Sequence, residues 1–435
     1  MRRGVLTGLA LATAAVLASA CGGSGGSAAP ATASGDPAKV SGNITVLTNR
    51  TDLVNDGTMK KYADDFAKAY PNVRVTFEGI TDYEGEVKIR MNSENYGDVL
   101  LIPNAIAKGD YPKFFAPLGS AAELSKKYKF TQAGTVNDQV YGIVSFTPAQ
   151  GFVYNKELWD SAGVTEWPKT PEEFLSALKA VKDKTGATPL YTNYKDGWPL
   201  STWTNALGSV TCDVKAEKAM ITEDPWAPGK DLNVIDSLLF DAVNRKLTEK
   251  DPTTTNWEES KNAIATGKIG AMWLGSWAVP QMQAAATKAG KSPETIGFMP
   301  FPAQANGKFC TVLAPDYQYA VNTHSQNKAA ARAWVDWFVD KSGFSALNQG
   351  VSSLKSDPLP SAIKPLGEAG VQLIEMETDQ RVQVDAIDKE SEVGIKAPEY
   401  RQRLIDVARG AAKGDLNSVL AELSGKWKAG QESAG

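Results

Sequence analysis

Histidine is almost missing from these 435 residues: His324 is the only one. A Ser/His/Asp triad would have to use it, and it sits in a polar loop, Asn322-Thr-His-Ser-Gln-Asn327, that has a bland explanation. Cysteine is scarce as well. Cys21, Cys212 and Cys310 are the whole set, far apart, and with one histidine they exclude a Cys/His zinc site. Past the N-terminus there is no apolar run of about 18 residues, so the sequence offers no second membrane-spanning candidate. A basic excess is lacking too. Lys and Arg number 46 against 50 Asp and Glu, a net charge of −4, which argues against nucleic acid and other polyanions as partners. No internal repeat stands out. One phosphate-loop look-alike, Ala285-Ala-Thr-Lys-Ala-Gly-Lys-Ser292, lacks the strand before and the helix after that phosphate binding needs. An alanine-rich helix precedes it and Pro293 follows. No cofactor and no metal are expected.

What is present begins at the N-terminus. Arg2 and Arg3, an apolar run from Val5 to Ala18, and the small residues Ser19 and Ala20 read as an export signal over residues 1–20. Cys21 follows at once. Residues 21–42 then read as a flexible tether, rich in Gly, Ser, Ala and Pro, with no means of packing. The stretch around Cys21 resembles the lipobox of bacterial lipoproteins, whose cysteine is lipidated and becomes the new N-terminus, although Ala18 stands where Leu is usual. The alternative is a plain secretory signal with an incidental cysteine. With Cys21 lipidated, Cys212 and Cys310 remain. An even remainder in an exported protein suggests one disulfide, with two buried thiols as the alternative.

The length calls for at least two domains, and 42% hydrophobic with 22% charged residues is ordinary for a globular chain. Ile44 to Thr48 reads as a buried strand. Met59, Tyr62, Phe66 and Tyr70 recur at helical spacing, Pro71-Asn72 stops that helix, and Val73, Val75 and Phe77 alternate as a strand. Strand–helix–strand is a parallel crossover unit. Val99-Leu-Leu-Ile is continuously apolar, as in a strand covered on both faces. Thr170 and Pro171 open a helix as cap and first-turn residue.

Several segments, in order, carry a resemblance: Tyr141-Gly142, Gly151-Phe-Val-Tyr-Asn-Lys-Glu-Leu-Trp159, Ala162-Gly163, Pro168-Lys-Thr-Pro-Glu-Glu-Phe174, Thr266-Gly-Lys-Ile-Gly-Ala-Met-Trp-Leu-Gly-Ser-Trp277 and Asn322 to Ala331. Together they resemble the family 1 extracellular solute-binding proteins of ABC transporters, which include maltose- and multiple-sugar-binding proteins. The resemblance implies an α/β, two-lobe periplasmic-binding-protein-like fold of type II, with hinge-linked lobes and a discontinuous chain. Lobe 1 would take residues 43–148 and 317–343, and lobe 2 residues 149–316 and 344–435. Cys212 and Cys310 then share a lobe, which is compatible with a bridge.

Tryptophan is the informative residue type, with eleven copies. A flat indole stacks on the C–H face of a sugar. Trp334 and Trp337 lie at helical spacing among alanines and read as core, as do Trp159, Trp167 and Trp427. Trp198, in a Gly/Pro loop, and Trp273 and Trp277 are ligand candidates. In the resembled family Gly-Ser-Trp lines the cleft, which here falls on Gly275, Ser276 and Trp277. Trp257, ahead of a helix, is a weaker candidate. Polar partners are expected where strands end: Asn49, Arg50 and Asp52, then Tyr83 and Glu84, then Asn104. Helix capping by Asp52 or Asn55 is the competing reading. Gln150, Asp316 and Tyr317 are candidates on the hinge side, with Gln349 weaker, and Asp98 reads as a structural acid.

The expected function is an extracellular, lipid-anchored receptor on the bacterial membrane. It would bind a carbohydrate, an oligosaccharide rather than a monosaccharide, and deliver it to an ABC permease driven by a cytoplasmic ATPase. A monomer that is not an enzyme is expected. A membrane-anchored glycoside hydrolase, or the same receptor fold holding a non-sugar solute, are the other readings.

Overall fold

The computed structural model describes residues 31, 35–378 and 380–434; the expected export signal and Cys21 lie outside them. Two mixed sheets form the centres of two lobes. The first runs Val73–Gly79, Gly42–Thr48, Val99–Leu101, Gln318–Val321, Ile143–Val144. Its first three strands are parallel, and Gln318–Val321 joins antiparallel. Val99, Leu100 and Leu101 are all buried, as a continuous apolar strand requires. Helix Thr58–Ala69 lays Met59, Tyr62 and Phe66 on this sheet. Helix Lys328–Lys341 packs beside it, with Phe66 and Trp334 in edge contact at 5.2 Å. Burying each such ring contributes about 2–3 kcal/mol.

The second sheet runs Ile296–Met299, Gln150–Asn155, Ile269–Gly275, Thr188–Leu190. Ile269–Gly275 is parallel to Thr188–Leu190 and antiparallel to Gln150–Asn155. All seven residues of Ile269–Gly275 are buried, because helices cover both faces. One face meets helices Pro171–Thr185 and Asp231–Asn244, and the other meets Trp257–Ala265 and Ala278–Lys288. The alanine-rich helix ends before Gly290, as the rejection of the phosphate loop requires.

The chain crosses between the sheets three times. Residues 145–149 lead from the first sheet to the second, 314–317 lead back to the first sheet from Lys308–Leu313, a strand of a separate three-stranded sheet, and 348–354 follows helix Phe344–Leu347. Bridges Thr147↔Val351 and Ala149↔Leu313 knit the crossings side by side. Cys212 and Cys310 are joined by a disulfide with Cα atoms 5.5 Å apart, which excludes the free-thiol alternative. The structureless-tether expectation is corrected at its C-terminal end. Residues Pro37–Lys39 form a helical turn capped by Asp36, and Val40 is buried. Ala31 is pinned further back: its N–H donates to the Pro117 carbonyl at 3.0 Å and its own carbonyl accepts from Arg332.

Candidate ligand cleft

The carboxyl ends of the parallel strands, the usual ligand position in open α/β sheets, carry the candidate residues of both lobes, and Lys261 of the second lies near enough to Asp52 of the first to lower its pKa. On the first sheet, Gly42–Thr48 runs out to Asn49, Arg50 and Asp52, Val73–Gly79 to Tyr83 and Glu84, and Val99–Leu101 to Asn104. On the second, Thr188–Leu190 leads to the loop bearing Trp198. Helix Trp257–Ala265 starts at that edge, because it returns the chain to the parallel strand Ile269–Gly275, which ends at Ser276-Trp277.

Three indoles therefore meet. Trp198 and Trp257 lie 5.1 Å apart at 81°, Trp257 and Trp277 5.7 Å at 61°, and Trp198 and Trp277 5.8 Å at 46°. Trp198 is 37% exposed, while Trp257 and Trp277 are half-buried. Asn256 caps the helix by accepting from the Glu259 N–H at 3.1 Å, which places Trp257 in the first turn. Lys261, one turn on, sits 4.9 Å from the centre of the Trp257 ring. Burial raises the pKa of Asp196, whose carboxylate takes the Trp257 N–H. At the base of this loop Glu249 accepts the Thr192 N–H at 2.9 Å, and burial pushes its carboxyl up to about 7.

The opposite side is polar. Arg50 pairs with Asp52 through two hydrogen bonds, at 2.9 and 2.7 Å, and donates to the Asn348 amide oxygen at 2.5 Å. Burial alone would raise the Asp52 pKa, but Arg50 outweighs it and holds the carboxyl below its ordinary value, with a smaller contribution from Lys261 across the cleft. Glu84 accepts from the Tyr317 hydroxyl at 2.6 Å and from the backbone and side-chain nitrogens of Asn104, both at 3.1 Å. Burial, followed by the Glu84 charge, raises the Tyr317 pKa strongly. Asp316, half-buried on the 314–317 crossing, is pushed up to about 6 by burial.

Residues 51–343 match the bacterial extracellular solute-binding proteins. The chain belongs to that family. It is 24% identical over 330 residues to the multiple sugar-binding protein of Streptococcus mutans, covering 71% of this chain and 76% of that one. Two solved structures from Bifidobacterium animalis subsp. lactis are similar over 92% of this chain and 96% of theirs. One is a binding protein of an ABC transporter in complex with mannobiose, at 32% identity and TM-score 0.85. The other is a manno-oligosaccharide-specific solute-binding protein in complex with mannotriose, at 30% identity and TM-score 0.86.

In this solute-binding protein several candidate contacts turn out to be internal supports. Trp273 is corrected to core: it is 2% exposed, its indole N–H donates to the Thr202 carbonyl at 3.0 Å, and Phe152, Trp203 and Phe301 surround it. Tyr83 is corrected likewise. Its hydroxyl donates to the Leu101 carbonyl and accepts the Leu101 N–H, at 3.0 and 2.8 Å, and its ring braces Tyr317. Ser276 is buried and stitches two crossings, accepting from the Ala149 N–H and donating to the Gln349 carbonyl at 2.8 Å. Gly275 gives room to Trp277 rather than to ligand: a Cβ there would stand 2.6 Å from the indole. Gln349 spends its side chain on Ala346, Ser361 and Ala362. Gln150 is buried beside Gly275 in the sheet. The capping reading of Asp52 and Asn55 is also replaced, since helix Thr51–Asn55 has no side-chain cap. Asp98 takes the Thr45 N–H and the Ser325 hydroxyl, a structural clasp. Trp257 enters the cluster more fully than its sequence context suggested. Lys261 and Asn348 were not singled out at all, although the cap motif Asn256-Trp-Glu-Glu259 marks the helix start that carries Trp257 and Lys261.

Proposed function

We propose that this protein is the receptor of an ABC importer for short oligosaccharides of the mannobiose and mannotriose class. The observation that supports the reading is a three-indole platform, Trp198, Trp257 and Trp277, on one lobe, with the hydrogen-bonding row Arg50, Asp52, Glu84, Asn104 and Tyr317 on the other, near enough that Lys261 beside Trp257 acts on Asp52. The indoles take the flat face of a pyranose, and the row takes its hydroxyls. Relatives solved with mannobiose and mannotriose support the ligand class. The lobes close on the sugar by bending at the three crossings, and the closed shape is what the permease reads. Closure demands a partner for every buried hydroxyl, so an analogue lacking one is penalised. Cys21 anchors the receptor to the outer face of the membrane through lipid, and the protein acts as a monomer without catalysing a reaction.

Titration calorimetry against mannobiose, mannotriose, maltose and raffinose tests the reading. Binding of the manno-oligosaccharides is expected, with mannotriose recovered intact by chromatography. Absence of heat with all four sugars ends the receptor reading, and cleavage of mannotriose would favour the hydrolase.

A further inference from the structure

Trp198 opens a single helical turn, Trp198–Ser201, on the loop that leaves strand Thr188–Leu190. A turn this short does not hold itself in place. Its own ties are local: the Gly197 N–H donates to the Asn193 carbonyl at 3.2 Å and the Leu200 N–H to the Gly197 carbonyl at 2.8 Å. One outside support comes from the segment before Trp257, where the Thr255 hydroxyl accepts the Lys195 N–H at 2.8 Å. The other is helix Pro398–Ala408. Two consecutive residues of that helix take backbone carbonyls on either side of the ring. Gln402 donates to the Tyr194 carbonyl at 2.8 Å, and Arg401 to the Leu200 carbonyl at 3.3 Å, across separations of 208 and 201 residues. One turn on, Asp406 accepts from the Tyr194 hydroxyl, which lies 3.1 and 3.0 Å from its two oxygens. At the helix start Pro398 lies against Gly197, where an added Cβ would stand 3.0 Å from the proline Cβ. Gly197 has a φ of +76°, so backbone and space both call for glycine there. The helix is itself fixed in register. Arg401 is fully buried, bonded to Asp236 at 3.2 Å and to the Thr204 hydroxyl at 2.7 Å, and sliding the helix would leave buried charges unpaired. It lies beyond residues 51–343, the stretch that carries the family match, so this support is not contained in that match.

We infer that helix Pro398–Ala408 is the mount of the Trp198 indole, and that Gln402 is a positioning residue acting on sugar through that ring. The inference rests on the sugar-receptor reading and deepens it. A stacking ring gains its contact energy only within van der Waals distance of the sugar face. Trp198 is the most exposed ring of the platform, at 37%, so its place depends on what holds the loop beneath it. With the Tyr194 carbonyl released, the loop and its ring have more positions open to them. Ordering them around sugar then consumes part of the binding free energy.

The test uses the full chain, mannotriose and calorimetry. Gln402→Leu keeps the bulk and removes the donor, and Gly197→Ala pushes the loop off Pro398 from the other side. Each is expected to bind about three- to tenfold more weakly than the native chain. Trp198→Ala should bind about tenfold more weakly. A support that merely stabilised the lobe would add its loss to that of Trp198→Ala. A mount has no ring left to position there, so Gln402→Leu/Trp198→Ala should match Trp198→Ala within about twofold. Fluorine NMR of the fluorotryptophan-labelled protein adds a signature. The Trp198 resonance, assigned by its absence from Trp198→Ala, should shift in sugar-free Gln402→Leu. Native-strength binding by Gln402→Leu, Gly197→Ala or Trp198→Ala, additive losses in the double variant, or an unmoved Trp198 resonance overturns the inference while leaving the receptor reading intact. Failure of the native chain to bind any of the sugars removes both.

Discussion

Trp277 is seated by its neighbours. Gly275 leaves the space it fills, Ser276 fixes the turn to two crossings, and Trp257 and Trp198 hold its ring from the side. Edge contacts of this kind contribute about 0.5–1.5 kcal/mol each. Trp257→Ala should therefore weaken mannotriose binding about tenfold by loosening the platform, and Trp277→Ala about a hundredfold by removing it. Calorimetry on folded variants reads both, and unchanged affinity in Trp277→Ala would remove the aromatic platform from the site. Gly/Pro loop context singles out Trp198 in the sequence, because a large ring there has little local packing, while Trp277 stands out through the resemblance carried by its Gly-Ser-Trp segment. Trp273 was not distinguishable from them. Its strand is apolar on both faces, and the partner of its indole N–H, the Thr202 carbonyl, is 71 residues away. Tyr83 misleads for the same reason: a tyrosine at a strand end looks available until the strand that takes its hydroxyl is known.

Elements were easier to read than contacts. Helix Thr58–Ala69 carries its buried residues at the spacing the sequence displays, and Pro171–Thr185 starts at the Thr170 cap. Polar burial between elements was not legible. Asp236 on helix Asp231–Asn244 and Arg401 on helix Pro398–Ala408 form a fully buried ion pair, and Asp236 also accepts from the Trp226 indole at 2.9 Å. On a helical pattern those two charges look like solvated positions. The disulfide is the other long-range tie, fastening the loop around Cys212 to strand Lys308–Leu313 across a sequence separation of 98. Cross-linking so long a segment restricts the unfolded chain, a stabilisation of about 2–4 kcal/mol. Denaturant unfolding of the Cys212→Ser/Cys310→Ser variant should show that loss, and a midpoint equal to the native one would make the bridge dispensable.

At the scale of the molecule, the two lobes and the membrane have to be compatible. Three adjacent crossings allow bending along one line. The N-terminal chain rejoins the body earlier than a structureless spacer would. Ala31 is held against Pro117 and Arg332 on lobe 1, so the free reach from Cys21 is at most about 35 Å. A lipid on Cys21 would hold lobe 1 near the bilayer and leave lobe 2 free to swing. No described helix is long and apolar enough to cross a membrane. Cys21→Ala should then release the protein into the medium of its host while mannotriose affinity stays at the native value. Fractionation followed by calorimetry on the released protein measures both, and retention of the variant with the membranes would remove the lipid anchor. Released protein that no longer binds sugar would mean that the N-terminal attachment on lobe 1 shapes the cleft as well as placing it.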